Sequence, residues 1–118
     1  MAQHKVEVPI TAVNNGLDFS ILTGISPIYP YENGKRTSDT PIGTKFEVLL
    51  PGNRLSPLTV KIEGVVNPLP KISDEELEAS CVNLDLVAVR FKDCKVSLYS
   101  INGNMVMSAV AKSVELAN

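Results

Sequence analysis

Two stretches of the chain alternate strictly between apolar and polar positions. In Thr44 to Leu50, Phe46, Val48 and Leu50 fall on one face, with Lys45 and Glu47 on the other. In Leu58 to Glu63, Leu58, Val60 and Ile62 alternate with Thr59, Lys61 and Glu63. Successive side chains of a strand point to opposite faces, so each stretch predicts a strand with one buried face. Pro51-Gly52-Asn53 ends the first of them. Lys95 to Ser100 and Met105 to Ala111 flank Ile101-Asn102-Gly103-Asn104. An Asn-Gly pair between two such runs predicts a hairpin, because both residues tolerate positive φ. Leu84 to Phe91 is apolar on both faces near its middle, which predicts a well-covered strand.

The beginning of the chain is less regular. Residues 5 to 22 mix β-branched residues with a loop at Asn14-Asn15-Gly16, giving a short strand, a turn, and a second strand over Leu17 to Leu22. Ile25 to Tyr31 is interrupted by Pro27 and Pro30. Proline donates nothing to a sheet ladder, so a strand here is expected at an edge or bulged. Asn33-Gly34 makes a turn, and polar Lys35 to Gly43 is expected as a loop. Ser73-Asp74-Glu75-Glu76 has the spacing of a capping box, in which the Ser73 hydroxyl accepts from the third helical amide. Acids in the first turn also suit the helix dipole. A surface helix of two to three turns to about Ser80 follows, with only Leu77, Ala79 and Cys81 as apolar content. The tail after Ala111 is either a last turn or a short strand.

The expected fold is mainly β, with five to seven strands in a row and one short helix between the central and C-terminal strands. That order suits a small oligonucleotide/oligosaccharide-binding (OB)-like barrel, taken as a single domain over residues 1–118. Aromatics make up 5% of the chain and Trp is absent, so the core must rest on Val, Leu and Ile.

Charge changes the picture. A net charge of −2 argues against a dedicated nucleic-acid binder, which is usually basic. The charges are unevenly placed, however. Asp74 to Asp85 holds five acids and no base, whereas Arg90 to Lys112 holds four bases and one acid. The first ten residues contain no apolar h-region, and no segment reaches the roughly 18 apolar residues that span a bilayer, so a cytoplasmic protein without membrane contact is expected. Cys81 and Cys94 stand outside any CxxC or Cys/His cluster and are expected as free thiols.

Catalytic chemistry is scarce. His4 is the only histidine, too little for a triad or a His-based metal site, and it is expected at the surface without a role. The carboxylates of Asp74 to Glu78 are explained by the helix cap. Gly43-Thr44-Lys45 lacks the first glycine of a phosphate loop. The expectation is a protein that is not an enzyme and holds no cofactor or metal.

Binding is the class that remains. The alternation points Lys45, Lys61 and Lys95 outward, and Tyr99 shares the face of Lys95. Arg90 and Lys92 add cations from the basic stretch. Cations for phosphate and a ring for base stacking are the ingredients of a single-strand groove, although outward lysines also belong to any solvated sheet. The acidic helix offers Asp74, Glu75 and Glu78 to a basic partner protein, or simply to solvent.

The segments Tyr31-Glu32-Asn33-Gly34-Lys35-Arg36-Thr37-Ser38-Asp39, Phe46-Glu47-Val48-Leu49-Leu50-Pro51, Val60-Lys61-Ile62 and Asn67-Pro68 stand out together. They resemble segments of small proteins encoded by conjugative transposons and integrative conjugative elements of Gram-positive bacteria. Where that family closes with an Ala-Asp-Asp-Ile-like segment, Ala111-Lys112-Ser113-Val114 stands here without either acid. The helix after Ser73 and the hairpin at Asn102-Gly103 are further departures. The resemblance implies an OB-like accessory of conjugative-element replication that supports unwinding by a host helicase and touches single-stranded DNA. The alternative expectation is an assembly protein of a phage or mobile element that oligomerises through strand edges such as Ile25 to Tyr31.

Overall fold

The computed structural model describes residues 5–64, 67–69 and 71–117; His4 lies outside them. In chain order the strands are β1 (Lys5–Pro9), β2 (Ser20–Ile28), β3 (Tyr31–Glu32), β4 (Lys35–Arg36), β5 (Gly43–Leu50), β6 (Ser56–Glu63), β7 (Val87–Lys92), β8 (Lys95–Ile101), β9 (Asn104–Val110) and β10 (Ser113–Leu116). The helix α1 (Asp74–Val82) lies between β6 and β7, and 3-10 turns cover Ile10–Val13 and Pro51–Asn53. The described residues thus form ten strands, not five to seven. Eight join one sheet in the order β1-β8-β9-β6-β5-β2-β7-β10, and β3 pairs with β4 in a separate hairpin. Within the sheet only β6 and β9 run parallel.

The short link between β7 and β8 forces the sheet to curl. These strands stand seventh and second in the sheet, yet only Asp93 and Cys94 separate them in the chain. A flat sheet would hold them about 24 Å apart. Three consecutive Cα–Cα steps reach at most about 11 Å. The sheet therefore rolls into a half-barrel, and Asp93, at φ 51°, turns the chain.

The alternating stretches fold as their pattern dictates. Phe46, Val48, Leu50, Leu58, Val60 and Ile62 are buried on the concave face, with Leu22, Val89, Val96 and Ala109 from the neighbouring strands. Phe46 meets Phe91 edge-on, with ring centroids 6.1 Å apart. Both Asn-Gly turns form as expected, with Asn33 and Asn102 at φ 51°. The helix starts at its cap, where Ser73 Oγ accepts from the Glu76 amide at 3.1 Å, and it buries only Leu77.

Three elements differ from their pattern. The stretches at Leu17 to Leu22 and Ile25 to Tyr31 belong largely to one strand, β2, which lies inside the sheet between β5 and β7. Pro27 is tolerated there because β7 pairs only with Ser20 to Leu22, leaving β5 as the sole sheet neighbour of β2 at Pro27. The apolar run from Leu84 becomes a strand only at Val87, because Leu84 sits at φ 58° beyond the helix end. Leu84 and Leu86 remain exposed. Lys35–Arg36, expected in a loop, form β4. The tail takes the second of its two expected forms, the short strand β10.

The helix is tied to the sheet by a side chain. The Ile25 amide donates to Asp74 Oδ1 at 3.0 Å, next to the register shift between Leu22 and Gly24. Asp74→Ala removes this bond and a carboxylate at the helix N-terminus, and is expected to cost about 1 kcal/mol. Asp74→Asn, which keeps the acceptor, should recover part of that loss in urea denaturation. Equal losses for both variants would assign the effect to charge alone.

Both cysteines are free; Cys94 is buried, and burial pushes its thiol up to about 11. At pH 8 about one Cys94 thiol in a thousand is then ionised. A thiol reagent should label Cys81 first and reach Cys94 only on unfolding, as mass spectrometry of the labelled peptides would show. The unfolded chain releases the Cys94 proton at lower pH than the folded one. Stability should therefore fall as pH rises from about 9 toward 11.

Candidate nucleic-acid interface

The register aligns the three outward lysines. Lys45 lies directly opposite Lys61 across β5/β6, Lys61 opposite Val110 across β6/β9, and Val110 opposite Lys95 across β9/β8. Cross-strand partners share a face, so Lys45, Lys61, Val110 and Lys95 form one row on the convex side, about 14 Å long. Like charges directly opposite each other disfavour a sheet. Among the described residues no salt bridge joins Lys45 or Lys61 to a carboxylate, whereas Lys95 shares a hollow with Glu7 and Asp93. The next outward positions are polar or acidic: Glu47 opposite Thr59, and Ser97 opposite Glu7.

The row is set in a shallow trough. Lys61 and Val110 line a depression of about 200 Å³ with Ile28, Ile42 and Glu63. On the other side Val110 lines a second one of about 460 Å³ with Glu7, Asp93, Lys95, Ser97 and Lys112. Val110 is therefore a low apolar ridge between two hollows of mixed charge, one with Lys61 and Glu63, the other with two lysines and two acids. Tyr99 faces the same side as Lys95, opposite Val106 and about 13 Å along β8.

The other sequence candidates lie elsewhere. Arg90, on β7, stands opposite Glu115, and its Nε donates to Asp18 Oδ2 at 3.1 Å, so its charge is compensated within the fold. Lys92 is exposed at the end of β7, opposite Ser113 and outside the trough lining. On α1 the carboxylate of Asp74 is held by Ile25, whereas Glu75 and Glu78 are exposed, three residues apart and so neighbours on the helix surface.

Sequence reasoning missed Lys112 as a site residue, although it belongs to the basic stretch after Arg90. It also missed the β3/β4 hairpin, where the Arg36 guanidinium lies over the Tyr29 ring at 3.8 Å. The signal was present: Tyr29 and Tyr31 are two of the chain's three tyrosines, next to Lys35-Arg36. Among the described residues no helix is long and apolar enough to cross a membrane. Set against known protein families, curated proteins and solved structures, the chain finds no match.

Proposed function

We propose that the chain is an OB-like accessory module that holds single-stranded nucleic acid across its convex face. The carrying observation is the row of Lys45, Lys61 and Lys95, three cations aligned by register on one face. The strand bookkeeping supports the OB-like reading. If β7 and β8 are two halves of one bent strand, the circuit β2-β5-β6-β9-β8/β7 returns to β2 through the β7 pairing. Five strands then close a Greek-key barrel, with α1 between the third and fourth. OB barrels bind oligonucleotides on their second and third strands, here β5 and β6, which carry Lys45 and Lys61.

Three of the four segments that resemble conjugative-element proteins fall at the β3/β4 hairpin, in β5 and in β6, and the fourth, Asn67-Pro68, follows β6. That favours a role in element replication, with the module holding the separated strand for a host helicase. The exposed Glu75 and Glu78 of α1, away from the trough, are the proposed contacts for that partner. The experiment is fluorescence anisotropy of a labelled single-stranded oligonucleotide across a salt series. Three phosphate contacts predict a log–log slope of about −2.

A second reading, assembly into oligomers, draws on the two open sheet edges, β1 and β10, which carry exposed Val6 and Leu116. Light scattering after gel filtration separates the two: a large, stable oligomer that does not bind the oligonucleotide would favour assembly.

A further inference from the structure

The β3/β4 hairpin adds almost nothing to the core. Tyr31 is 62% exposed, and both strands are exposed along their length. It is nevertheless ordered by its own bonds. The Ile42 amide donates to the Ile28 carbonyl at 2.8 Å, and the Thr37 amide donates to the Pro30 carbonyl at 3.0 Å, which closes its base.

On one face it gathers two rings around a guanidinium. Tyr31 is the cross-strand partner of Arg36, and Arg36 lies over Tyr29 at 3.8 Å. The Arg36 side chain remains 44% exposed, with Asp39 3.9 Å from one of its terminal nitrogens. A guanidinium backed by a ring presents its second planar face outward, and such a face stacks on any nucleobase.

Position gives this platform a use. Ile28 and Ile42 at the hairpin base also line the hollow that holds Lys61 and Val110. The hairpin therefore leaves the sheet beside the Lys61 hollow, between Ile28 at the end of β2 and Gly43, two residues before Lys45 on β5.

We infer that the hairpin is the base-stacking half of the interface: Arg36, backed by Tyr29 and flanked by Tyr31, receives a base of the single strand whose phosphates lie on Lys45, Lys61 and Lys95. This inference rests on the single-strand reading above and adds a division of labour to it. The row reads phosphate and the hairpin reads the flat face of a base, without sequence preference.

The test compares two labelled twelve-nucleotide oligomers, one of thymidines and one abasic throughout, with equal phosphate counts. The intact protein should bind the thymidine oligomer about tenfold tighter. Arg36→Lys keeps the charge but removes the planar face. It should erase that preference while leaving affinity for the abasic oligomer within about twofold. Tyr31→Ala should reduce the preference in the same way, and a thermal unfolding curve of each variant should match the parent. A preference that survives Arg36→Lys overturns the inference, as does equal binding of both oligomers by the intact protein, which would leave the lysine row standing. Failure to bind either oligomer overturns the single-strand reading and this inference with it.

Discussion

Asn14→Leu should lower stability by about 4 kcal/mol, a fall of roughly 15 °C in melting temperature for a chain of this length. Asn14 is wholly buried and bonds in two directions. Its Nδ2 donates to the Phe19 carbonyl at 2.7 Å and to the Leu17 carbonyl at 3.3 Å, and its Oδ1 accepts from the Gly52 amide at 2.8 Å. The side chain thereby joins the loop before β2 to the turn between β5 and β6. Leucine is close to isosteric but leaves the Gly52 amide and the Phe19 carbonyl without partners. Each buried orphan costs about 1–3 kcal/mol.

Gly52→Ala tests the same junction from the other side. A Cβ at residue 52 would stand 2.0 Å from the Asn14 carbonyl oxygen, a backbone atom that cannot swing aside. The turn must then open, and a loss comparable to that of Asn14→Leu is expected. The two changes strike one junction, so the double variant should lose less than the sum. Thermal and urea unfolding of the three variants measure this. Single losses below about 1 kcal/mol would show that the junction does not hold the fold together.

The sequence made some of this legible. Period-two alternation set the inner and outer faces of β5 and β6 residue by residue, because one face of each is buried and a one-residue slip would invert it. The Asn-Gly turns and the Ser73 cap were legible because they are local: their geometry is decided within four residues. Elements decided by distant neighbours were not. Pro27 argued for an edge or a bulged strand; that β2 lies inside the sheet, with a register shift between Leu22 and Gly24 and only β5 beside Pro27, depends on where β7 stops. Leu84 and Leu86 look like strand residues, but the helix end turns Leu84 to positive φ and leaves both exposed. The outward direction of Lys45, Lys61 and Lys95 was readable from alternation. Their alignment was not, because it requires the parallel register of β6 on β9 between residues about fifty positions apart. Asp74 looked free for a partner because its bond to the Ile25 amide spans 49 residues.

The lysine row also predicts a conflict between stability and binding. Lys45→Glu places opposite charges across β5/β6 in place of like ones. It should stabilise the fold by a few tenths of a kcal/mol, up to about 1. The same change should weaken binding of a single strand about tenfold, since it removes one phosphate contact and adds a repulsion. A change that helps the fold and harms binding marks residues placed for a ligand. Lys71→Glu supplies the control, because Lys71 is exposed but stands apart from the row and the trough. It should leave affinity nearly unchanged.

The most direct measurement is the affinity of a labelled single-stranded oligonucleotide for the parent and for the Lys45→Glu/Lys61→Glu/Lys95→Glu variant, from about 20 to 200 mM salt. The parent should bind at micromolar concentration or better at low salt, with a slope near −2. The variant should bind at least about a hundredfold more weakly and show almost no slope. Equal affinity and equal slope for the two proteins, or no binding by the parent at the lowest salt, would contradict the row as a phosphate-binding surface.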